Sequence, residues 1–353
     1  MKNLGSALGT WVCVAILAGC GGAGAALSPT TLASAVTNGR WLNSDAATFS
    51  PQTSVRNLYV ADSSKVLVFS RGKTSPFRSI SSGIHYPLAL TFDRSGNLYV
   101  ANCGTYSGAD CYGSTVTVYA RKSDTLLRTI SRGVNYPTSL AFDGKGDLYV
   151  ANLRANTVTV YAQGSNRILR TISKDLRGPR ALAFGSTGSL FVANFYNNTV
   201  TVYAAGSTDL TRTISQGIGM PAALIVGPSG YLYVANGENY SNSSVTVYPP
   251  GGDNPTRTIT QEMSSPWALA FDKLGKLYVA NQFDSTITVY AAGARSLKRR
   301  VADGVDEPNA LALDESMNLY VANLAGFVTV YAPHHGKPLY TLKARARTLS
   351  FGP

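Results

Sequence analysis

Apolar residues fall in short runs along most of the chain, each bounded by glycine, asparagine, aspartate or proline. The most regular run is LYVAN or a close relative. Its leucines are Leu58, Leu98, Leu148, Leu190, Leu232, Leu277 and Leu319, recurring at intervals of 40 to 50 residues. Three further runs accompany each copy in constant order. One resembling ALAF, usually after a proline, precedes it; VTVYA and then LRTIS follow it. Valine, isoleucine, threonine and tyrosine dominate, the composition of β-strands. LYVA and ALAF are nearly continuous apolar runs, which predicts strands covered on both faces. Between them lie DRSG, DGKG and DKLG, with the aspartate and glycine that tight turns require.

Four antiparallel strands per period, with a period in this range, predict an all-β protein built as a β-propeller. The ends predict the blade count. The pattern begins at a second strand, NLYVA from Asn57, and finishes with ARTLSFGP, which matches the first-strand segment PLALTFDR. Residues 347–351 are therefore expected beside residues 57–61. The result is a seven-bladed β-propeller of four-stranded antiparallel blades, closed by the C-terminal strand pairing with the N-terminal blade. Closure removes an open edge that would invite aggregation.

The first residues, MKNLGSALGTWVCVAILAGC, carry one lysine and then an apolar run with the length of a signal-peptide core, too short to span a bilayer comfortably. Residues 21–55 are rich in Ala, Gly, Ser and Thr. These features divide the chain into a leader at 1–19, a flexible tether at 20–55 and a propeller at 56–353. Leu17-Ala18-Gly19-Cys20 resembles the lipobox of bacterial lipoproteins. That resemblance implies a lipoprotein signal peptide, a lipid on Cys20 and a cell-envelope location, at an outer membrane or the cell surface. Cys103 and Cys111 bracket a short insertion, and export to an oxidising compartment predicts a disulfide between them.

Composition narrows the picture further. Forty-four per cent hydrophobic residues suffice for a packed core, and 14% charged residues argue against disorder. The net charge of +12 would attract polyanions at long range without naming a partner. Twenty tyrosines suggest a stacking surface until they are aligned. Most then occupy two strand positions and read as core. The recurring arginines Arg78, Arg128, Arg170, Arg212, Arg257 and Arg299 read as a solvated ring on the outermost strands. Asn102, Asn152, Asn194, Asn236, Asn281 and Asn323 are expected to organise the turn after the second strand.

Function is expected where the repeat is broken, on the face formed by the loops after the second strand and before the first. Two of these loops are long. One carries Tyr106, Asp110 and Tyr112; the other carries Glu238, Asn239, Tyr240 and Asn242. The residue after each proline begins the innermost strand near the channel mouth, placing Thr138, Arg180, Trp267, Asn309 and Arg347 in one ring. Arg154, Tyr196, Phe283 and Asp284 fall on neighbouring loops. Two arginines and a tryptophan in that ring suit an anionic or aromatic ligand. Catalytic signatures are sparse. His85 lies on the favoured face and needs a partner such as Glu238 to act as a base. His334 and His335 fall in a turn on the opposite face and lack the further ligands a metal requires.

The segments YVANxxxNTVTVYAxG and RTISxGxxxPxxLAFDxxGxLYVAN resemble NHL- and YVTN-type propeller repeats over roughly residues 56–353. The resemblance implies the fold and leaves several activities open. The expected function is an exported binding scaffold for a peptide, glycan or protein, anionic ligands among them. The alternatives are a hydrolase or lyase of the streptogramin-lyase-like or gluconolactonase-like kind, and a structural cell-surface repeat protein. No cofactor, no metal and no nucleic acid are expected, and a closed ring needs no second subunit, so a monomer is expected.

Overall fold

The computed structural model describes residues 56–353 apart from 108–109, 238–242 and 294–295. The leader, the tether, Cys20, Glu238 and Tyr240 lie outside the described residues. Among the described residues there are seven four-stranded antiparallel sheets and one two-stranded hairpin. Blade 1 contains β4 (Pro87–Phe92), β5 (Leu98–Asn102), β8 (Thr115–Tyr119) and β9 (Leu126–Ile130), in that order from the first strand to the fourth. The hairpin, β6 (Thr105–Ser107) and β7 (Asp110–Tyr112), is inserted between β5 and β8. Blade 2 comprises β10 to β13 (137–172) and blade 3 comprises β14 to β17 (179–214). Blade 4 is β18 to β21 (221–259), blade 5 β22 to β25 (266–301), and blade 6 β26 to β29 (308–343).

The seventh blade takes strands from both ends of the domain. β1 (Asn57–Asp62), β2 (Lys65–Phe69) and β3 (Arg78–Ile80) are joined by β30 (Thr348–Gly352), which lies against β1. The register pairs Leu58 with Phe351 and Val60 with Leu349, and the Arg347 amide donates to the Ala61 carbonyl at 2.9 Å. The expected circular closure is present.

Two kinds of tyrosine hold the blades together. Second-strand tyrosines meet a first-strand phenylalanine of the next blade edge to face: Tyr59 with Phe92, Tyr99 with Phe142, Tyr149 with Phe184. Third-strand tyrosines donate their hydroxyls to the loop that arrives from the preceding blade, as Tyr161 does to Arg132 and Tyr248 to Gln216. Both sets are buried, consistent with their reading as core.

The outer arginines are half-buried struts, in contrast to the solvated ring expected from their spacing. Arg128 and Arg170 lie over the rings of Tyr99 and Tyr149 and donate to their hydroxyls at 2.5 and 2.6 Å. A guanidinium can lie flat on an aromatic ring while keeping its edge hydrated, so the outer strand gains cover without burying a bare charge. In the turns between first and second strands, Asp143 Oδ1 accepts from the amides of Lys145 and Asp147, and Asp314 Oδ1 from those of Ser316 and Asn318. These aspartates are turn-builders, on the face opposite the long loops.

Candidate functional site

Proline cannot donate a ladder hydrogen bond, and every first strand of blades 1 to 6 begins with one. In each, the register slips by one residue immediately after it, for example between Pro179 and Ala181 and between Pro266 and Ala268. The skipped residue is Leu88, Thr138, Arg180, Ala222, Trp267 or Asn309 in turn. A bulge of this kind re-aims a side chain out of the normal alternation. All six skipped residues are buried.

The repeated asparagines support these bulges from below. Each is buried, and each side-chain oxygen accepts from an amide of the loop that leads into the first strand, as Asn152 does from Asn135 at 2.9 Å. The amide nitrogen of Asn152 donates to Thr157 and Thr159 of the third strand at 3.2 and 3.0 Å. The asparagine therefore clamps the incoming loop and the third strand. The turn after its own strand, the expected target, is held by main-chain bonds such as Leu153 N–H to Tyr136 carbonyl at 3.0 Å.

The bulged residues were expected to offer open binding groups at the channel mouth. Instead they are sealed: Arg180 is 5% exposed, Trp267 7%, Asn309 2% and Thr138 1%. Convergence of the inner strands leaves little room, and the side chains fill it. Arg180 of blade 3 reaches across the ring to lie 4.2 Å from the Trp267 ring centroid of blade 5, and 4.5 Å from that of Phe195. Contact between non-adjacent blades places this guanidinium at the centre of the mouth. Asn309 donates to the carbonyls of Ala346 and Arg347 at 3.2 Å each, and Thr138 to the Pro179 carbonyl at 2.9 Å. Each bond ties one blade to the next.

The hairpin of β6 and β7 covers one side of this plug. Cys103 and Cys111 form a disulfide with 5.0 Å between Cα atoms, as expected. Tyr106 stacks on Tyr86, with centroids 5.0 Å apart and planes 4° from parallel, and the Arg347 guanidinium lies 3.6 Å from the Tyr86 centroid. Arg154 pairs with Asp110 at 2.7 Å. Beneath them Tyr136 is fully buried, and its hydroxyl has no hydrogen-bond partner among the described residues. Burial pushes that hydroxyl far above the ordinary tyrosine range; Tyr106 adds to the rise and Arg180 opposes it. Tyr136 therefore remains neutral.

Above the sealed layer, three aromatic side chains stand in solvent on the same face: Tyr112 at 60% exposure, Tyr196 at 54% and Phe283 at 50%. Tyr112 was expected on the long Cys103–Cys111 loop, and Tyr196 and Phe283 on neighbouring loops. Tyr196 lies against Gly178, where an added Cβ would come within 2.4 Å of its ring. The φ of +61° at Gly178 also favours glycine. His85 is exposed, its main-chain N–H donating to Asn102 at 3.2 Å. On the opposite face, His334 Nδ1 lies 3.5 Å from Lys276 Nζ, a cation that discourages metal binding there. Among the described residues no group of three His, Cys, Asp or Glu side chains could hold a metal ion.

The fold and these contacts define a seven-bladed β-propeller with a sealed channel mouth and an exposed aromatic rim. No family model matches the chain, and no curated protein matches it either.

Proposed function

We propose that this protein is an exported, lipid-anchored binding scaffold that holds a peptide, glycan or protein partner against its loop-rich face. The single observation that carries the reading is the placement of Tyr112, Tyr196 and Phe283, all exposed, above a buried cation–aromatic layer. Exposed aromatic rings supply large contact area at low entropic cost, and loops on a rigid scaffold are where binding groups gather. Arg180 and Trp267 act as the platform beneath the rings. Arg154, Tyr106 and Arg347 hold the hairpin that presents Tyr112. Asp110 and Arg154 at the rim add polar contacts suited to a peptide or sugar.

The repeat's likeness to NHL and YVTN propellers fits a platform role. The Leu17-Ala18-Gly19-Cys20 motif supports lipidation at Cys20 and an envelope location. A lipid on Cys20 together with amide-linked or glyceride chains would meet the requirement of more than one chain for stable anchoring.

The test is an array of glycans and peptides probed with the protein and with a Tyr112→Ala, Tyr196→Ala, Phe283→Ala triple variant. Three exposed side chains can be removed without opening the core, so folding is retained. The reading expects a defined subset of spots to bind the protein and to lose at least tenfold in signal with the triple variant. Equal binding by both would remove the aromatic rim as the site.

A further inference from the structure

The face opposite the long loops carries a cleft that none of the functional reasoning above uses. It has a volume of about 660 Å³ and lies where blades 7, 1 and 2 meet. Its apolar wall is built from Phe92, Phe142 and Phe351, the first-strand phenylalanines of those blades. Each is half-buried, its edge fixed by the tyrosine of the neighbouring second strand: Tyr59, Tyr99 and Tyr320. At this level β30 and β1, the first and second strands of blade 7, are not joined by the hairpin turn that the other blades have. Gly352 keeps the wall thin, since a Cβ there would lie 2.2 Å from the Phe92 ring.

The rim is cationic. Arg56, Arg94 and Arg121 all line it, and all are exposed. Arg94 is positioned across the junction of blades 1 and 2 by donating to the Gly144 carbonyl at 2.7 Å. The Arg121 side chain lies against Gly96, within 3.0 Å of a notional Cβ, and its guanidinium forms no ion pair among the described residues. Arg56 approaches Glu315 only at 3.9 Å. Two side-chain carboxylates, Asp93 and Asp143, also line the cleft and accept from turn amides; three arginines against these two leave a formal side-chain surplus of one positive charge.

We infer that this cleft is a second binding site, independent of the loop-rich face, for a small anionic molecule with a flat apolar body, such as an aromatic carboxylate or sulfonate. The body would lie against the three phenylalanine rings and the anionic group would meet Arg94 and Arg121. Pockets of this volume with apolar walls and a few convergent charges are the usual form of a small-molecule site. Guanidinium forks pair with planar oxyanions through charge-assisted hydrogen bonds.

The probe is 1-anilinonaphthalene-8-sulfonate, followed by its fluorescence on titration into the folded protein. Saturable binding of one molecule per chain is expected, weakened about tenfold or more in an Arg94→Ala, Arg121→Ala variant and unchanged in Lys122→Ala, an exposed neighbour that does not line the cleft. Uncharged N-phenyl-1-naphthylamine should bind at least tenfold more weakly than the sulfonate. Arg121→Ala alone, which touches no inter-blade bond, should weaken binding in the same direction if the double variant fails to fold. No saturable binding, or binding indifferent to both arginine variants, would overturn the site. The Tyr112, Tyr196, Phe283 triple variant should bind the probe normally, which separates failure here from failure of the loop-rich face.

Discussion

A buried side chain in this protein is characteristically one that ties two segments together. Tyr161 is representative. Its ring fills the space between strands and its hydroxyl donates to the Arg132 carbonyl at 2.7 Å. Burial raises its pKa from 10.0 to about 12, with Thr159 opposing the rise through a hydrogen bond. A group whose folded pKa lies above its unfolded value contributes stability that is complete below the unfolded pKa and is lost as pH rises through the folded one. Third-strand tyrosines of other blades shift in the same direction for the same first cause. The denaturant midpoint should therefore hold steady to about pH 10 and fall between pH 10 and 12. Tyr161→Phe should make that fall shallower; an alkaline limb identical in the variant would show that this hydroxyl carries no such linkage.

Among elements, the inserted hairpin is the most distinctive. β6 and β7 are short and mostly solvent-facing, so their own ladder gives little stability. The Cys103–Cys111 disulfide, the Tyr86–Tyr106 stack and the Arg154–Asp110 pair supply it. Closing a loop of sequence separation 8 by a disulfide contributes about 2–3 kcal/mol by chain entropy. A Cys103→Ser, Cys111→Ser variant should exchange amide hydrogens at residues 105–107 and 110–112 at least tenfold faster, while β5 and β8 remain protected. Uniform acceleration across blade 1 would mean instead that the disulfide supports the blade itself. The strands, the closure and this disulfide were legible in the sequence because each leaves a mark in residue type or spacing. The bulge after each proline was not, because it changes the backbone register without changing the repeat. Arg180 and Trp267 were consequently placed in the right ring and given the wrong exposure. The asparagine clamp was misassigned for a related reason: periodic spacing shows that a residue has a constant partner without showing which. Phe92, Phe142 and Phe351 end first-strand apolar runs like those of other blades, and only three-dimensional closure reveals that they leave a cleft between them.

At the scale of the whole molecule, the ring has two unlike faces. One is sealed by Arg180, Trp267 and Asn309 and bears exposed aromatic rings. The other carries the tight turns and the arginine-rimmed cleft. Residue 56 begins the described chain beside that cleft, on the face away from the aromatic rim. This division exists only because β30 lies beside β1 and completes the circle. Amide hydrogen exchange across residues 348–352 tests that closure most directly. Those amides that pair with β1 should exchange as slowly as the ladder amides of β4 and β10 (Pro137–Phe142), the first strands of blades 1 and 2, which likewise have a strand on one side only. Rapid exchange at 348–352, with those inner strands still protected, would contradict the closed ring and the two faces that follow from it.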